Sequence, residues 1–213
     1  KLIVYAMLQK DPGQPKIHRL RVIHLYEYDF NLILGVKWRN LLKHCCDKNL
    51  LNDSCYGSRP GRTALDPVFT KVLELEISTL TNTALIQFDN DMTACYDRIP
   101  MFLANVLSRK YGMHVNVCCV QGKTFREAKY YLKTRLGVSK GFVSHSLEEP
   151  WYGVGQGAGN APMNCLQLMS TLYDMYERNA TGATYVNPDG SITAVIKTQG
   201  FVDDTTNRNN SLL

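Results

Sequence analysis

No apolar run in the chain approaches the length that crosses a membrane, no N-terminal segment reads as a signal peptide, and none of the seven cysteines stands in a Cys-x-x-Cys pair. The doublets Cys45-Cys46 and Cys118-Cys119 are too tightly spaced to serve as a usual zinc pair. These absences argue against a membrane protein, a disulfide scaffold and a zinc module. They lead us to expect an intracellular chain, nuclear or cytoplasmic, with free thiols. The phosphate-binding signature G-x-x-x-x-G-K is also missing, which removes the P-loop nucleotide enzymes.

What is present is a globular composition, 45% hydrophobic over 213 residues, with an uneven charge. Residues 1–62 hold eleven basic and five acidic residues, whereas 63–213 hold thirteen and fourteen. The N-terminal third is therefore the basic part, and a basic patch of this kind suits a polyanion such as a phosphate backbone or a nucleotide.

Two acidic strand ends dominate the rest. Ala84 to Asp91 begins apolar and ends acidic, and strand alternation puts Asp89 and Asp91 on one face. Phe201-Val202-Asp203-Asp204 is a second short strand running into two adjacent carboxylates. Adjacent carboxylates repel, and an oxygen-only donor set at such a position suits Mg2+ or Mn2+. Either Asp89 or Asp91 could be the ligand on the first strand.

The connecting segments read as follows. Residues 2–9 and Lys16 to Leu25 form a hairpin with Lys10, Lys16, Arg19 and Arg21 at its tip and flank, Arg19 and Arg21 sharing a face. Asn31 to Cys46 is a helix, and Tyr56-Gly-Ser-Arg59-Pro-Gly-Arg62 is a basic loop. Asp66-Pro67 opens a helix whose Phe69, Val72, Leu73, Ile77 and Leu80 fall on one stripe, expected to face the core. Pro100 opens another helix that Gly112 closes, and Thr124 to Leu136 is expected to be a basic amphipathic helix. Gly153, Gly155, Gly157 and Gly159 let backbone approach a ligand, and Asn160 with Pro162 starts a helix running to about Arg178. Thr184 to Lys197 is a hairpin around Pro188-Asp189-Gly190.

In this order the segments resemble the fingers and palm of reverse transcriptases. Asp91-Met-Thr-Ala-Cys-Tyr96-Asp97 resembles the family's first palm motif, an Asp followed five residues later by an aromatic, and that offset favours Asp91 over Asp89. Gly155-Gln156-Gly157 resembles the second motif, and Phe201-Val-Asp203-Asp204 the third, with Phe in place of the commoner Tyr. Arg19-Leu-Arg-Val-Ile and the Tyr56 to Arg62 loop are similar to fingers segments of non-LTR retrotransposon and group-II-intron-like enzymes. The resemblance implies an α+β fold of right-hand polymerase fingers (1–83) and palm (84–213). It implies an antiparallel palm sheet packed on helices, a chain stopping after the Asp-Asp hairpin, and no thumb.

The function it implies is an RNA-directed DNA polymerase, poorly active as this chain alone. Asp91, Asp203 and Asp204 would be catalytic, with Asp91 and Asp203 holding Mg2+ or Mn2+. Lys10, Arg21, Tyr96, Gln156 and Gly157 would meet the incoming deoxynucleotide, and Arg59 and Arg62 the template or primer. The implied partners are an RNA template, a DNA or RNA primer and dNTPs, with no membrane. The alternatives are an RNA-dependent RNA polymerase, which more often carries Gly-Asp-Asp, and a non-catalytic nucleic-acid-binding relic.

Overall fold

The computed structural model describes residues 2–9 by backbone and 20–146 and 152–210 with side chains. The chain is α+β and divides into two compact units, each discontinuous in sequence: Lys1–Lys48 with Ala94–Asn164, and Asn49–Thr93 with Cys165–Leu213.

In the first unit, β1 (Leu2–Gln9) pairs antiparallel with β2 (Leu20–Leu25), confirming the expected hairpin; its tip, with Lys10, Lys16 and Arg19, lies outside the described residues. Helix α1 (Tyr28–Asp47) buries Leu34, Trp38, Leu41 and Cys45, an i, i+4, i+7, i+11 stripe. Trp38 anchors it, its indole N–H donating to Asn164 Oδ1 at 2.9 Å and Ser108 Oγ at 3.3 Å. Pro100 caps α4 (Met101–Lys110), and Gly112, at φ +106°, follows it in a conformation other residues rarely adopt.

The Thr124 to Leu136 helix is a correction. Helix α5 (Val115–Arg126) ends there, and β4 (Lys129–Thr134) runs parallel to β1, with β5 (Gly137–Val138) closing a four-stranded sheet of order β2-β1-β4-β5. Lys-Tyr-Tyr-Leu is both amphipathic and β-prone, and β1 offers a partner that a single-segment reading does not see. Phe125, Ala128 and Tyr130 are buried, and Leu136 is exposed.

A cavity of about 360 Å³ in this unit is lined by His24, Asp97, Phe125, Tyr130, His145 and Tyr152. His24 Nδ1 lies 2.9 Å from the Tyr26 hydroxyl, and His145 Nε2 2.9 Å from that of Tyr130. Burial, then the neighbouring His145, lower the His24 pKa from 6.5 to about 4. Below pH 6.5 the unfolded chain therefore binds a proton that folded His24 refuses, so stability present at neutral pH is lost as pH falls toward 4. Between pH 6.5 and 5 we expect a loss of about 2 kcal/mol in urea unfolding, and a flatter profile in His24→Asn. A wild-type profile as flat as the variant's would contradict this.

The second unit holds α2 (Leu65–Thr81), the antiparallel sheet β3-β9-β8 (Ile86–Asp91, Asp204–Asn209, Thr198–Phe201) and the hairpin β6 (Ala183–Val186) with β7 (Thr193–Ile196). Helix α6 (Ala161–Asn179) begins in the first unit and runs on in the second. One face of the three-stranded sheet meets α6, where Tyr173 and Thr205 hydroxyls are 3.2 Å apart. The opposite face is polar: the register aligns Gln87 with Arg208, Asp89 with Thr206, and Asp91 with Asp204.

That polar face inverts α2. The expected inward stripe, Phe69, Val72, Leu73, Ile77 and Leu80, is solvent-exposed, and Pro67 and Glu74 are the buried positions instead. Glu74 Oε2 accepts from Arg208 Nε at 2.5 Å and from Gln87 Nε2 at 3.3 Å, and the Pro67 carbonyl accepts from Gln199 Nε2 at 2.7 Å. A helix facing charged partners turns its charged side to them, because an unpaired buried Arg208 costs more than exposed apolar side chains.

Candidate active site

Strand β3 ends at Asp91, and β9 begins at Asp204 directly opposite it in the antiparallel register. Phe201 pairs with Asp204 across β8 and β9, leaving Val202-Asp203 as a two-residue turn. Val202 has φ +59°, a left-handed value costly for a β-branched residue, while Asp203 does not; positive φ at the first central position alone is the pattern of a II′ hairpin turn. The Met92 N–H donates to the Asp203 carbonyl at 3.3 Å, tying the strand end to the turn.

The Tyr56 to Arg62 loop holds this turn in place. Tyr56 N–H donates to the Gly200 carbonyl at 2.9 Å, and Gly200 N–H to that of Ser54 at 2.9 Å. A Cβ on Gly57 would overlap the Val202 backbone and come within 2.8 Å of its Cγ2, so only glycine lets the loop close on the strained turn. Arg59 turns inward, its side chain 10% exposed, and donates to the Asn52 carbonyl at 2.9 Å. Arg62 lies over the Tyr56 ring at 5.1 Å and 3.4 Å from Asp53. Of the two arginines expected at the template or primer, Arg62 is the one nearer the surface.

Three carboxylates are thus gathered at one sheet end. Partial desolvation, then the charges of Asp203 and Asp91, push the Asp204 carboxyl up against the opposing pull of Lys71. Uncompensated negative charge on an oxygen-only donor set fits a hard divalent cation. Among the described residues no group of three or more His, Cys, Asp or Glu side chains is arranged to hold a metal ion. Mg2+ needs none: it is held through one or two carboxylates together with substrate phosphates and water.

Asp89 is differently employed. Its Oδ1 accepts from Lys71 Nζ at 2.6 Å and from Thr206 Oγ1 at 2.5 Å, and these hydrogen bonds, Lys71 first, hold its carboxyl below the ordinary range. Asp91, not Asp89, faces the Asp-Asp hairpin residue in register. In the sequence the one sign of Lys71 is that it shares with Glu74 the side of the helix opposite the apolar stripe, and nothing local marks Thr206.

The remaining expected residues lie in the first unit. Arg21 is exposed on β2, and Tyr96 in the short helix α3 (Cys95–Arg98) accepts from Val154 N–H through its carbonyl at 2.9 Å. The Gln156 carbonyl accepts from His24 N–H at 2.7 Å. The glycines around it serve packing: a Cβ at Gly157 would lie 2.5 Å from the His24 carbonyl oxygen, and one at Gly159 2.9 Å from Gly35 N. Gly155 is likewise closed over by Tyr26 and His24. Lys10 lies outside the described residues.

The fold is reverse-transcriptase-like. Among solved structures the chain is similar to telomerase from Candida albicans in complex with the TWJ fragment of telomeric RNA, at TM-score 0.59 and 11% identity over 99% of this chain and 37% of that one. It is also similar to telomerase from Candida tropicalis with the TWJ fragment, at 0.58 and 16% over 98% and 36%. Apo telomerase from Candida tropicalis gives 0.56 and 15% over 98% and 39%. The chain spans less than half the length of these structures. No protein-family model and no curated protein sequence matches it. No helix among the described residues is long and apolar enough to cross a membrane.

Proposed function

We propose that the chain is the fingers and palm part (1–83 and 84–213) of an RNA-directed DNA polymerase of retroelement type, taking an RNA template, a primer and dNTPs. The observation that carries this reading is the placement of Asp91 opposite Asp204 at the mouth of a Val202-Asp203 turn, on a reverse-transcriptase-like fold. Asp91 and Asp203 would hold Mg2+ or Mn2+, with Asp204 assisting. The bound cation supplies Lewis-acid stabilisation of the attacking 3′-hydroxyl and the departing pyrophosphate. The chain's own residues then position: the sheet fixes the carboxylates and the Gly57 contact fixes the turn, while Lys10, Arg21 and Gln156 are the residues that the family resemblance would put at the nucleotide. Arg62 is the better placed of the two arginines for template or primer, since Arg59 is committed to the Asn52 carbonyl.

Tyr96 gives the test that separates DNA from RNA synthesis. Its ring would abut the sugar of the incoming nucleotide and exclude a 2′-hydroxyl. Tyr96→Val is expected to raise ribonucleotide use relative to deoxynucleotide by about 10²-fold in single-nucleotide addition. Unchanged selectivity in a folded variant would make Tyr96 a core residue, and a wild type preferring ribonucleotides would favour an RNA polymerase.

A further inference from the structure

A cavity of about 460 Å³ in the second unit is lined by Lys71 on α2, Asp89 and Asp91 on β3, and Phe201, Asp204 and Thr206 around β8 and β9. Lys71 is the one cationic side chain among its described lining residues, and it shares the cavity with the Asp91–Asp204 pair. It is held away from that pair by Asp89, at 2.6 Å. Asp89 is fixed by its place in the sheet, since Thr206, its register partner on β9, donates to the oxygen that also takes the lysine. Arg208, the next cation along this face, is committed to Glu74.

We propose that Asp89 is a retaining carboxylate: it keeps the Lys71 ammonium beside Thr206 and so leaves Asp91 and Asp204 open to a divalent cation. This rests on the metal-site reading above. Asp89 and Asp91 lie two residues apart on one face of a strand, about 7 Å. A lysine stem has four carbons and rotatable donors, so an ammonium released at Asp89 reaches the next carboxylates along the face. Once there it occupies the cation's position as an internal competitor. Lys71 and Asp89 are thus positioning residues, acting through Asp91 and Asp204. The competing account is that Lys71–Asp89, 31% and 62% exposed, is an ordinary surface ion pair with no consequence for the site.

The test is Mn2+ binding to the whole chain, followed by electron paramagnetic resonance, with circular dichroism confirming that each variant is folded. Asp89→Asn is expected to weaken Mn2+ binding about tenfold, and Lys71→Met to tighten it about twofold to threefold. The decisive term is the coupling: in the Lys71→Met background, Asp89→Asn should cost no more than about twofold, because the competitor is gone. Independent charge effects would instead carry the full tenfold cost into the double variant and overturn the proposal. So would four proteins within twofold of one another, or a loss in Asp89→Asn that Lys71→Met does not restore, which would make Asp89 a ligand. Asp91→Asn is the separate control: if it binds Mn2+ like wild type, the metal-site reading itself fails, whatever Asp89 does.

Discussion

Asp91→Asn and Asp203→Asn are each expected to lower templated nucleotide addition by on the order of 10³-fold or more while leaving nucleic-acid affinity nearly unchanged. The expectation follows from where the two residues sit. Asp91 faces Asp204 in the β3–β9 register, and Asp203 is in the turn that Met92 N–H ties back to that strand. A neutral amide keeps the size of the side chain and removes the charge that holds a cation, so a loss confined to chemistry is the signature of a metal ligand. Asp89→Asn should do much less, and what it does should disappear when Lys71 is also replaced. Activity surviving in Asp91→Asn but lost in Asp89→Asn would exchange the two roles.

Breaking the Glu74–Arg208 pair is expected to have the largest effect on stability. Both side chains are almost fully buried, and Nε to Oε2 is 2.5 Å. Removing either partner leaves the other charged and desolvated, which costs about 3–5 kcal/mol. Glu74→Ala or Arg208→Ala should therefore shift the urea midpoint by most of what a domain of this size has to lose. Replacing both with apolar residues of similar volume, Glu74→Met with Arg208→Leu, should recover much of the loss. Single variants within about 1 kcal/mol of wild type would show that this pair does not set the orientation of α2.

How far the sequence foretold this can be seen element by element. The acidic strand ends, the β1–β2 and β6–β7 hairpins, and the starts of α4 and α6 were legible, because Asp-Asp, Pro-Asp-Gly and Pro at a first turn act locally. The facing of α2 was not. An apolar stripe is normally the buried one, and only the partner's polar face, built by Gln87, Asp89, Thr206 and Arg208 from two strands distant in sequence, reverses that rule. Strand β4 was missed for a similar reason: its parallel partner β1 is over a hundred residues earlier. The glycines at 155, 157 and 159 look open to a ligand in the sequence, whereas β2, Tyr26 and α1 occupy the space their missing side chains leave. The role of Gly57 beneath Val202 is not legible in its loop, because the contact joins segments far apart in the chain.

Asp91 with Asp203 and Asp204 is proposed above as a cation-dependent nucleotidyl-transfer centre. Its most direct measurement is single-nucleotide addition to a primer annealed on an RNA template, at low salt, with the chain in excess over primer and Mg2+ or Mn2+ varied. Deoxynucleotide addition, distributive and slow, is expected, abolished by chelation and by Asp91→Asn and restored when the cation is returned to wild type. Addition that ignores the cation, or that is equal in wild type and Asp91→Asn, would contradict it.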